Sequence, residues 1–352
     1  MVQFEMKSLY APLKTLVPFL ADQGKFLDKA NRSAIASSLE ELRTKFHTVE
    51  VIPSRYKRMP GFSFAVTQVR DILDDATSRF NEQKAGYAWW RARVLPSACF
   101  GCHATYNVKS VFHPDEIIDA QLPLMERARF FLATRQYPEA EKALLEVLKD
   151  PLQRINYGEA IRSLLTIEVR AYDNTAQAIT KLREALRTTT LAEEDTAEVN
   201  KWIGTLSELT NKPRTPQELI IDGEKMISAG LPHKVGASYD TVLLLLGSEL
   251  LQKGLASPEV DVHHRRLGLY LLGSAYSHLP LYFAESWSYL YLEQCIREFP
   301  ASKEAKQAFA VYKDSLTEEF SGSSGTNFPE EVSLKLEELR KLAFGEVSPS
   351  PV

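Results

Sequence analysis

Apolar residues recur at intervals of three and four positions along the first third of the chain, which is the periodicity of amphipathic helices. Four such stripes follow one another, separated by short breaks. Their members are Met6, Leu9, Leu13, Leu16 and Leu20; Ile35, Leu39, Leu42, Phe46 and Val49; Phe62, Val66, Val69, Leu73, Ala76 and Phe80; and Ala88, Ala92, Leu95, Cys99, Cys102 and Tyr106. Consecutive amphipathic helices with short connections predict an antiparallel four-helix bundle over residues 1–112.

Beyond residue 112 the pattern changes to pairs of helices with small residues where the two helices of a pair would cross. Three blocks of this kind resemble tetratricopeptide repeats, whose second helix ends at a proline. The blocks contain Ala128, Tyr137, Ala140, Leu144, Val147 and Pro151; Ala171, Tyr172, Ala178, Leu182 and Ala185; and Leu269, Leu272, Gly273, Tyr276, Ala284, Tyr289, Leu292 and Pro300. They predict a tetratricopeptide-like α-solenoid over residues 113–320. Residues 321–352 begin with a Gly- and Ser-rich stretch and predict a linker, a terminal helix and a tail. The whole chain is therefore predicted to be all-α.

Composition and charge narrow the range of partners. The 352 residues are 44% hydrophobic and 25% charged, which is typical of an ordinary globular protein. The formal net charge is −4 and the isoelectric point is about 6.1, a balance that argues against nucleic acid as a partner. No run of eighteen apolar residues is present, so we expect no membrane-spanning helix.

The strongest chemical signal is the pentapeptide Cys99-Phe100-Gly101-Cys102-His103. This is the C-x-x-C-H pattern of covalent c-type haem attachment. Two thiols about one helical turn apart can each form a thioether with one haem vinyl group, and the adjacent histidine can then serve as the proximal axial ligand of the iron. The motif predicts one covalently bound haem c, held by both cysteines and by the histidine.

Two other uses of a C-x-x-C pair stay open, a redox dithiol and half of a zinc site. A dithiol usually begins a helix that follows a strand, and the residues before Cys99 carry no strand pattern. A structural zinc ion needs four ligands. His113 could supply a third ligand, but the remaining cysteine, Cys295, is almost two hundred residues away. Covalent haem is therefore the favoured interpretation.

With the haem motif near the end of a fourth helix, the first region resembles the class II c-type cytochromes, which include the cytochromes c-prime and their low-spin relatives. The matching residues are Cys99, Cys102 and His103, followed one turn later by Tyr106. In low-spin members of that family a methionine on the first helix supplies the sixth iron ligand. The resemblance therefore implies Met6 as the axial ligand opposite His103.

Several positions depart from the family pattern. Asn107 stands where the family often has a basic residue, and Pro96 falls within the predicted fourth helix. Pro12 interrupts the first helix close to Met6, and Met59 is a competing thioether in a loop. An ordinary core residue or a frayed terminal residue is the alternative role for Met6.

The haem prediction also carries a prediction of location. Bacteria attach haem c outside the cytoplasmic membrane, so the protein is expected in the periplasm. The chain opens with Met1-Val2-Gln3-Phe4-Glu5, which lacks the basic start of a signal peptide. We therefore expect that a secretion signal has been removed or truncated.

Together these features predict a periplasmic monohaem cytochrome that transfers single electrons through its iron. We expect an electron carrier and not an enzyme, although an open iron site would still allow weak peroxidase activity. The repeats are expected to dock a redox partner protein or peptide, and the bundle to form a homodimer. Two alternatives stay open: a five-coordinate haem protein that binds nitric oxide or carbon monoxide, and an interaction scaffold whose haem is structural.

Overall fold

A computed structural model describes most of the chain. The described residues are 7–48, 59–106, 111–113, 122–208, 214–231, 239–279, 284–322 and 325–346. Within these ranges the secondary structure is almost entirely helical, and the strands found there are β1 (Ser321–Gly322) and β2 (Gly325–Thr326), which form a short antiparallel hairpin. The prediction of an all-α protein is confirmed.

The amino-terminal helices follow the predicted apolar stripes. They are α1 (Tyr10–Leu20), α2 (Gln23–Leu27), α3 (Arg32–His47), α4 (Phe62–Asn81), α5 (Ala85–Ala92) and α6 (Leu95–Thr105). α1 packs against α3, α3 against α4, and α4 against α5. The buried residues of the first three helical stripes include Leu13, Leu16, Leu20, Ile35, Leu39, Leu42, Phe46, Val66, Val69, Leu73, Ala76 and Phe80. Their burial supplies the hydrophobic free energy that holds these helices together.

The fourth predicted helix is divided in two. α5 ends at Ala92, a turn at Arg93 and Val94 follows, and α6 begins at Leu95. Pro96 lies in the first turn of α6, where its missing N–H removes no helical hydrogen bond. The proline therefore lies at the start of a new helix, where the sequence predicted one continuous helix. α6 packs against α4 on one side, and the closed four-helix bundle stays a prediction.

Further helices complete the first compact unit. They are α7 (Leu124–Ala133), α8 (Tyr137–Lys149), α9 (Tyr157–Thr166), α10 (Thr175–Thr188) and the first part of α11 (Glu193–Ser207), whose residues from Asn200 onward belong to the second unit, with a 3-10 helix at Pro151–Asn156 and a π-helical turn at Ile167–Ala171. α7 packs against both α6 and α8, and the π-helical turn also contacts α6. Small residues of the first two repeat blocks, Ala128, Ala140, Ala178 and Ala185, are buried.

The second unit contains the remaining helices. They are α12 (Pro216–Gly230), α13 (Thr241–Leu255), α14 (Val262–Tyr276), α15 (Ala284–Glu298), α16 (Lys303–Glu319) and α17 (Glu330–Phe344). α14 and α15 approach closely at Gly273, where a Cβ atom would overlap the side chain of Leu292. Ser288 donates a hydrogen bond to the Gly273 carbonyl at 2.9 Å. A small residue therefore lies at this helix crossing, while the tetratricopeptide-like solenoid stays a prediction.

The contacts divide the chain into two compact units. The first comprises the described residues within Met1–Arg58 and Phe62–Val199, and the second those within Met59–Gly61 and Asn200–Val352. The predicted domains 1–112, 113–320 and 321–352 stay predictions. Among the helices of the described ranges, none is long and apolar enough to cross a bilayer.

Candidate functional site

α6 brings the motif residues together on one face. Cys99, Cys102 and His103 are spaced so that all three side chains leave the helix within about one quadrant of its circumference. All three residues are half-buried. The opposite face, which includes Phe100 and Ala104, is buried. The sequence stripe placed the cysteines on the inward face of the helix, whereas the structure leaves them partly accessible because Phe100 and Ala104 fill the core instead.

The two thiols are held in their neutral form. Both are free cysteines, and burial of the sulfur atoms raises the pKa of Cys99 to about 11 and that of Cys102 to about 12. A reactive dithiol needs a thiolate near neutral pH. Thioether formation instead adds an S–H group across a vinyl double bond. The protonation state of this pair therefore suits covalent attachment better than a reactive dithiol.

His103 is a neutral imidazole with an unused nitrogen. Burial, together with the nearby Arg135 guanidinium, lowers the pKa of His103 to about 3, although a hydrogen bond with the Ala133 backbone opposes the shift. The neutral ring is the form that binds metals. Its Nδ1 atom is buried and has no hydrogen-bond partner. Leaving such an atom unsatisfied costs about 1–3 kcal/mol, so a partner for this ring would stabilise the protein.

Two neutral thiols one helical turn apart and a neutral imidazole share a half-buried face of α6, and the buried Nδ1 atom of the imidazole lacks a partner. The donor set fits the predicted cofactor. A zinc site fits less well, because within the described ranges no three His, Cys, Asp or Glu side chains come together as a metal site.

The turn between α7 and α8 borders the site. Arg135 is buried there in the left-handed backbone region, with φ of +60°. Its carbonyl oxygen accepts a hydrogen bond from the Phe112 N–H at 3.0 Å. Arg135 was missed in the sequence, since it belongs to no motif and only the packing of α7 on α6 brings it to His103. A basic residue between two apolar helices was the available signal.

The start of α1 and the site both contact the last turn of α7. The Tyr10 ring lies 5.8 Å from the Phe130 ring and 5.1 Å from that of Phe112, measured between centroids. Ala133, which contacts His103, follows Phe130 within the same turn. Met6, the predicted sixth ligand, lies outside the described residues, and its role stays a prediction.

Tyr106 and Met59 have their own neighbours. The ring of Tyr106, which follows α6 directly, packs 5.3 Å from the Phe62 ring at the start of α4. Met59 is half-buried and belongs to the second unit, whereas His103 belongs to the first. The structure therefore places the competing thioether among residues of the other unit.

A second buried polar cluster was also missed in the sequence. Lys181 on α10 forms an ion pair with Glu141 on α8 at 2.7 Å and another with Glu168 in the π-helical turn. Burial, together with the neighbouring Glu141 carboxyl, raises the pKa of Glu168 to about 7, although the Lys181 ammonium opposes the shift. We call Glu141, Glu168 and Lys181 the carboxyl cluster. Its members lie on three separate elements, and no sequence spacing indicates that they meet.

Comparisons with known proteins leave the site to be interpreted from its own chemistry. No protein-family model and no curated protein matches the sequence, and no solved structure matches the fold.

Proposed function

We propose that this chain is a periplasmic monohaem c-type cytochrome that carries single electrons and uses its helical repeats to dock a redox partner. The observation that carries the proposal is the shared face of α6, where Cys99, Cys102 and His103 lie together and a buried ring nitrogen lacks a partner. When bound, haem c supplies a one-electron couple at its iron. The remaining contributions come from the residues of the chain.

Cys99 and Cys102 would hold the porphyrin by thioethers, and His103 would offer a ring nitrogen to the iron. Cys99 and Cys102 are half-buried as residues and lie on the same face of α6. The buried opposite face of α6, with Phe100 and Ala104, fixes the orientation of the helix and hence of the three donors. A short rigid element of this kind keeps a ligand set in register better than a loop does.

Arg135 would raise the reduction potential of the haem iron. It is a buried cation whose charge already acts on the His103 ring. A positive charge next to an iron ligand disfavours the more positive oxidised iron and so raises the reduction potential. The electrostatic setting therefore favours a carrier that accepts electrons readily.

Met6 would supply a thioether to the iron. It precedes α1 in sequence, and the first turn of α1 contacts α7 through Tyr10 and Phe130, one turn of helix from the backbone that contacts His103. An iron held by both Met6 and His103 would suit electron transfer. An iron without this ligand would suit gas binding.

The test is production of the chain with a secretion signal and the haem-maturation machinery, followed by denaturing mass spectrometry and visible spectra. We expect a mass increase of one haem that survives denaturation, and a sharp reduced α-band that Met6→Ala weakens. Cys99→Ala combined with Cys102→Ala should abolish the mass increase.

Cys295→Ala is the matched control, because Cys295 is a buried thiol on α15 of the second unit. It should retain the full haem content. A wild-type chain without covalent haem would overturn the proposal. A broad high-spin spectrum that carbon monoxide sharpens would replace electron transfer by gas binding.

A further inference from the structure

A short segment of the chain packs within the second unit much as a bound peptide would. Met59–Gly61 belongs by its contacts to that unit, although the described residues on both sides of it in sequence belong to the first. Pro60 and Gly61 are buried, and Met59 is half-buried. The three residues form no helix or strand of their own. Their burial therefore comes from the surface that receives them.

That surface is one face of α15. Trp287, Tyr291 and Gln294 occupy positions spaced by four and three residues, so they lie on the same side of the helix. We call these three residues the α15 face. The Trp287 and Tyr291 ring centroids are 5.8 Å apart, and Tyr276 on α14 lies 5.6 Å from Tyr291.

The α15 face is held in place from the neighbouring helices. The side-chain amide of Gln252 on α13 donates a hydrogen bond to the Tyr291 hydroxyl. The Tyr276 ring packs against the same ring. The face is therefore preorganised, and a ligand that fits it loses little free energy in ordering it.

Three structural conditions at position 61 together require a glycine. The Gly61 N–H donates a buried hydrogen bond to Gln294 Oε1 at 2.7 Å. The backbone has φ of +73°, a conformation that side chains other than glycine rarely adopt. A Cβ atom at this position would lie 2.8 Å from a ring carbon of Tyr291 and 3.4 Å from Trp287. Only glycine meets all three conditions.

Proline before such a glycine completes the signature of a tight turn. Pro-Gly is the preferred pair at the two central positions of a type II turn, whose second residue has positive φ. Pro60 is also buried. A turn of this composition presents the rigid proline ring and the N–H group of the glycine. The aromatic rings of the α15 face suit the proline ring, and its amide oxygen can accept the hydrogen bond from the N–H group.

We propose that the α15 face is a binding site for exposed Pro-Gly turns, occupied in the free chain by Met59–Gly61, and that a partner protein docks by replacing this segment with a Pro-Gly turn of its own. Helical-repeat proteins use extended surfaces to bind their partners. The inference rests on the proposed function only in taking that partner to be a redox protein. The binding chemistry itself needs no haem.

The test is a fluorescence-anisotropy titration of the full chain with a labelled peptide, acetyl-Met-Pro-Gly-Phe-Ser-Phe, which copies residues 59–64. Gly61→Val should expel the chain's own segment, because its Cβ collides with Tyr291 and its branched side chain disfavours the positive φ. We expect this variant to bind the peptide at least about tenfold more tightly than the wild type does. If Gly61→Val does not fold by circular dichroism, replacement of Met59, Pro60 and Gly61 by serine takes its place.

Two controls make the result specific. A peptide with alanine in place of glycine should bind at least about tenfold more weakly, and Gln294→Met added to the expelled-segment variant should have a similar effect because it removes the amide acceptor. A folded variant that binds neither peptide, or binds both equally, would overturn the proposal.

The haem content of each sample separates the two proposals. Peptide binding without covalent haem would refute only the cytochrome function. Covalent haem without peptide binding would refute only the Pro-Gly site.

Discussion

Two groups of titratable side chains in the first unit, the α6 site and the carboxyl cluster, are neutralised in different ways. At the α6 site, His103 gives up its proton, so that the cation of Arg135 stands beside a neutral ring with an unpartnered nitrogen. In the carboxyl cluster, two acids share a single ammonium group. The first arrangement leaves a ring nitrogen without a partner, to which a ligand could bind. In the second, the charged groups pair with one another.

With both carboxyl groups ionised, the carboxyl cluster would carry one negative charge more than its lysine can neutralise. Glu168 is 1% exposed, and Glu141 Oε1 and Glu168 Oε2 are both buried without a donor. The two carboxyl groups are close enough to hydrogen bond with each other. A proton kept on Glu168 supplies the missing donor and reduces the buried charge to one carboxylate and one ammonium. The comparison shows that buried polarity indicates a binding site only where the protein itself does not satisfy it.

The largest expected effect comes from removing the shared cation. Lys181→Met leaves buried carboxyl groups without a counter-charge, and we expect a loss of about 3–5 kcal/mol in the free energy of unfolding. Urea denaturation at pH 7 measures it. Lys225→Met is the control, because the Lys225 side chain is 71% exposed and its ion pair with Asp222 is worth at most about 1 kcal/mol. Equal losses in the two variants would remove the distinction between buried and exposed pairs.

A smaller effect is expected from pH. Because the folded-state pKa of Glu168 is raised to about 7, the folded protein keeps a proton that the unfolded chain releases near its ordinary value of 4.5. This contribution to stability is fully present below pH 4.5 and is lost as the pH rises through 7. We expect on the order of 2 kcal/mol less stability from this group at pH 8 than at pH 5.

Glu168→Gln should flatten that pH dependence, since its amide stays neutral and can still donate a hydrogen bond to Glu141. Urea denaturation of wild type and variant at pH 5 and pH 8 gives the comparison. An unchanged difference between the two pH values would show that the cluster does not hold the proton.

The smallest effect concerns the α6 site and applies to the haem-loaded protein. Arg135→Gln removes the cation beside His103 and should lower the reduction potential by on the order of 50 mV. Potentiometric titration measures the shift. Arg154→Gln is the control, since Arg154 is exposed in the 3-10 helix that follows α8. The tuning role would be refuted if both variants kept the wild-type potential.

The helices were predictable because their signals are local. The stripes that contain Leu16, Leu39 and Val69 are buried as their periodicity predicts. The division of the fourth helix was harder to foresee, because Pro96 is compatible either with a kink or with a new helix start. Packing of α6 against α4 and α7 decided in favour of the new start.

The candidate site was predictable in part. Cys99, Cys102 and His103 fall within five consecutive residues, and helix geometry alone brings them to one face. Arg135 follows His103 by more than thirty positions, so only the packing of α7 on α6 shows their proximity. The partial exposure of the cysteines likewise depends on which face of α6 the neighbouring helices cover.

By itself the sequence determined the all-α class, the positions of most helices and the motif that carries the chemistry, because each depends on interactions between residues a few positions apart. Only the tertiary structure decided which residues surround the motif and that the three side chains of the carboxyl cluster come together. It also decided the hydrogen bond from Gly61 to Gln294, which is 233 positions away along the chain. Contacts over such separations depend on how helix faces pack. A single sequence records the apolar faces that pack, but not which faces meet.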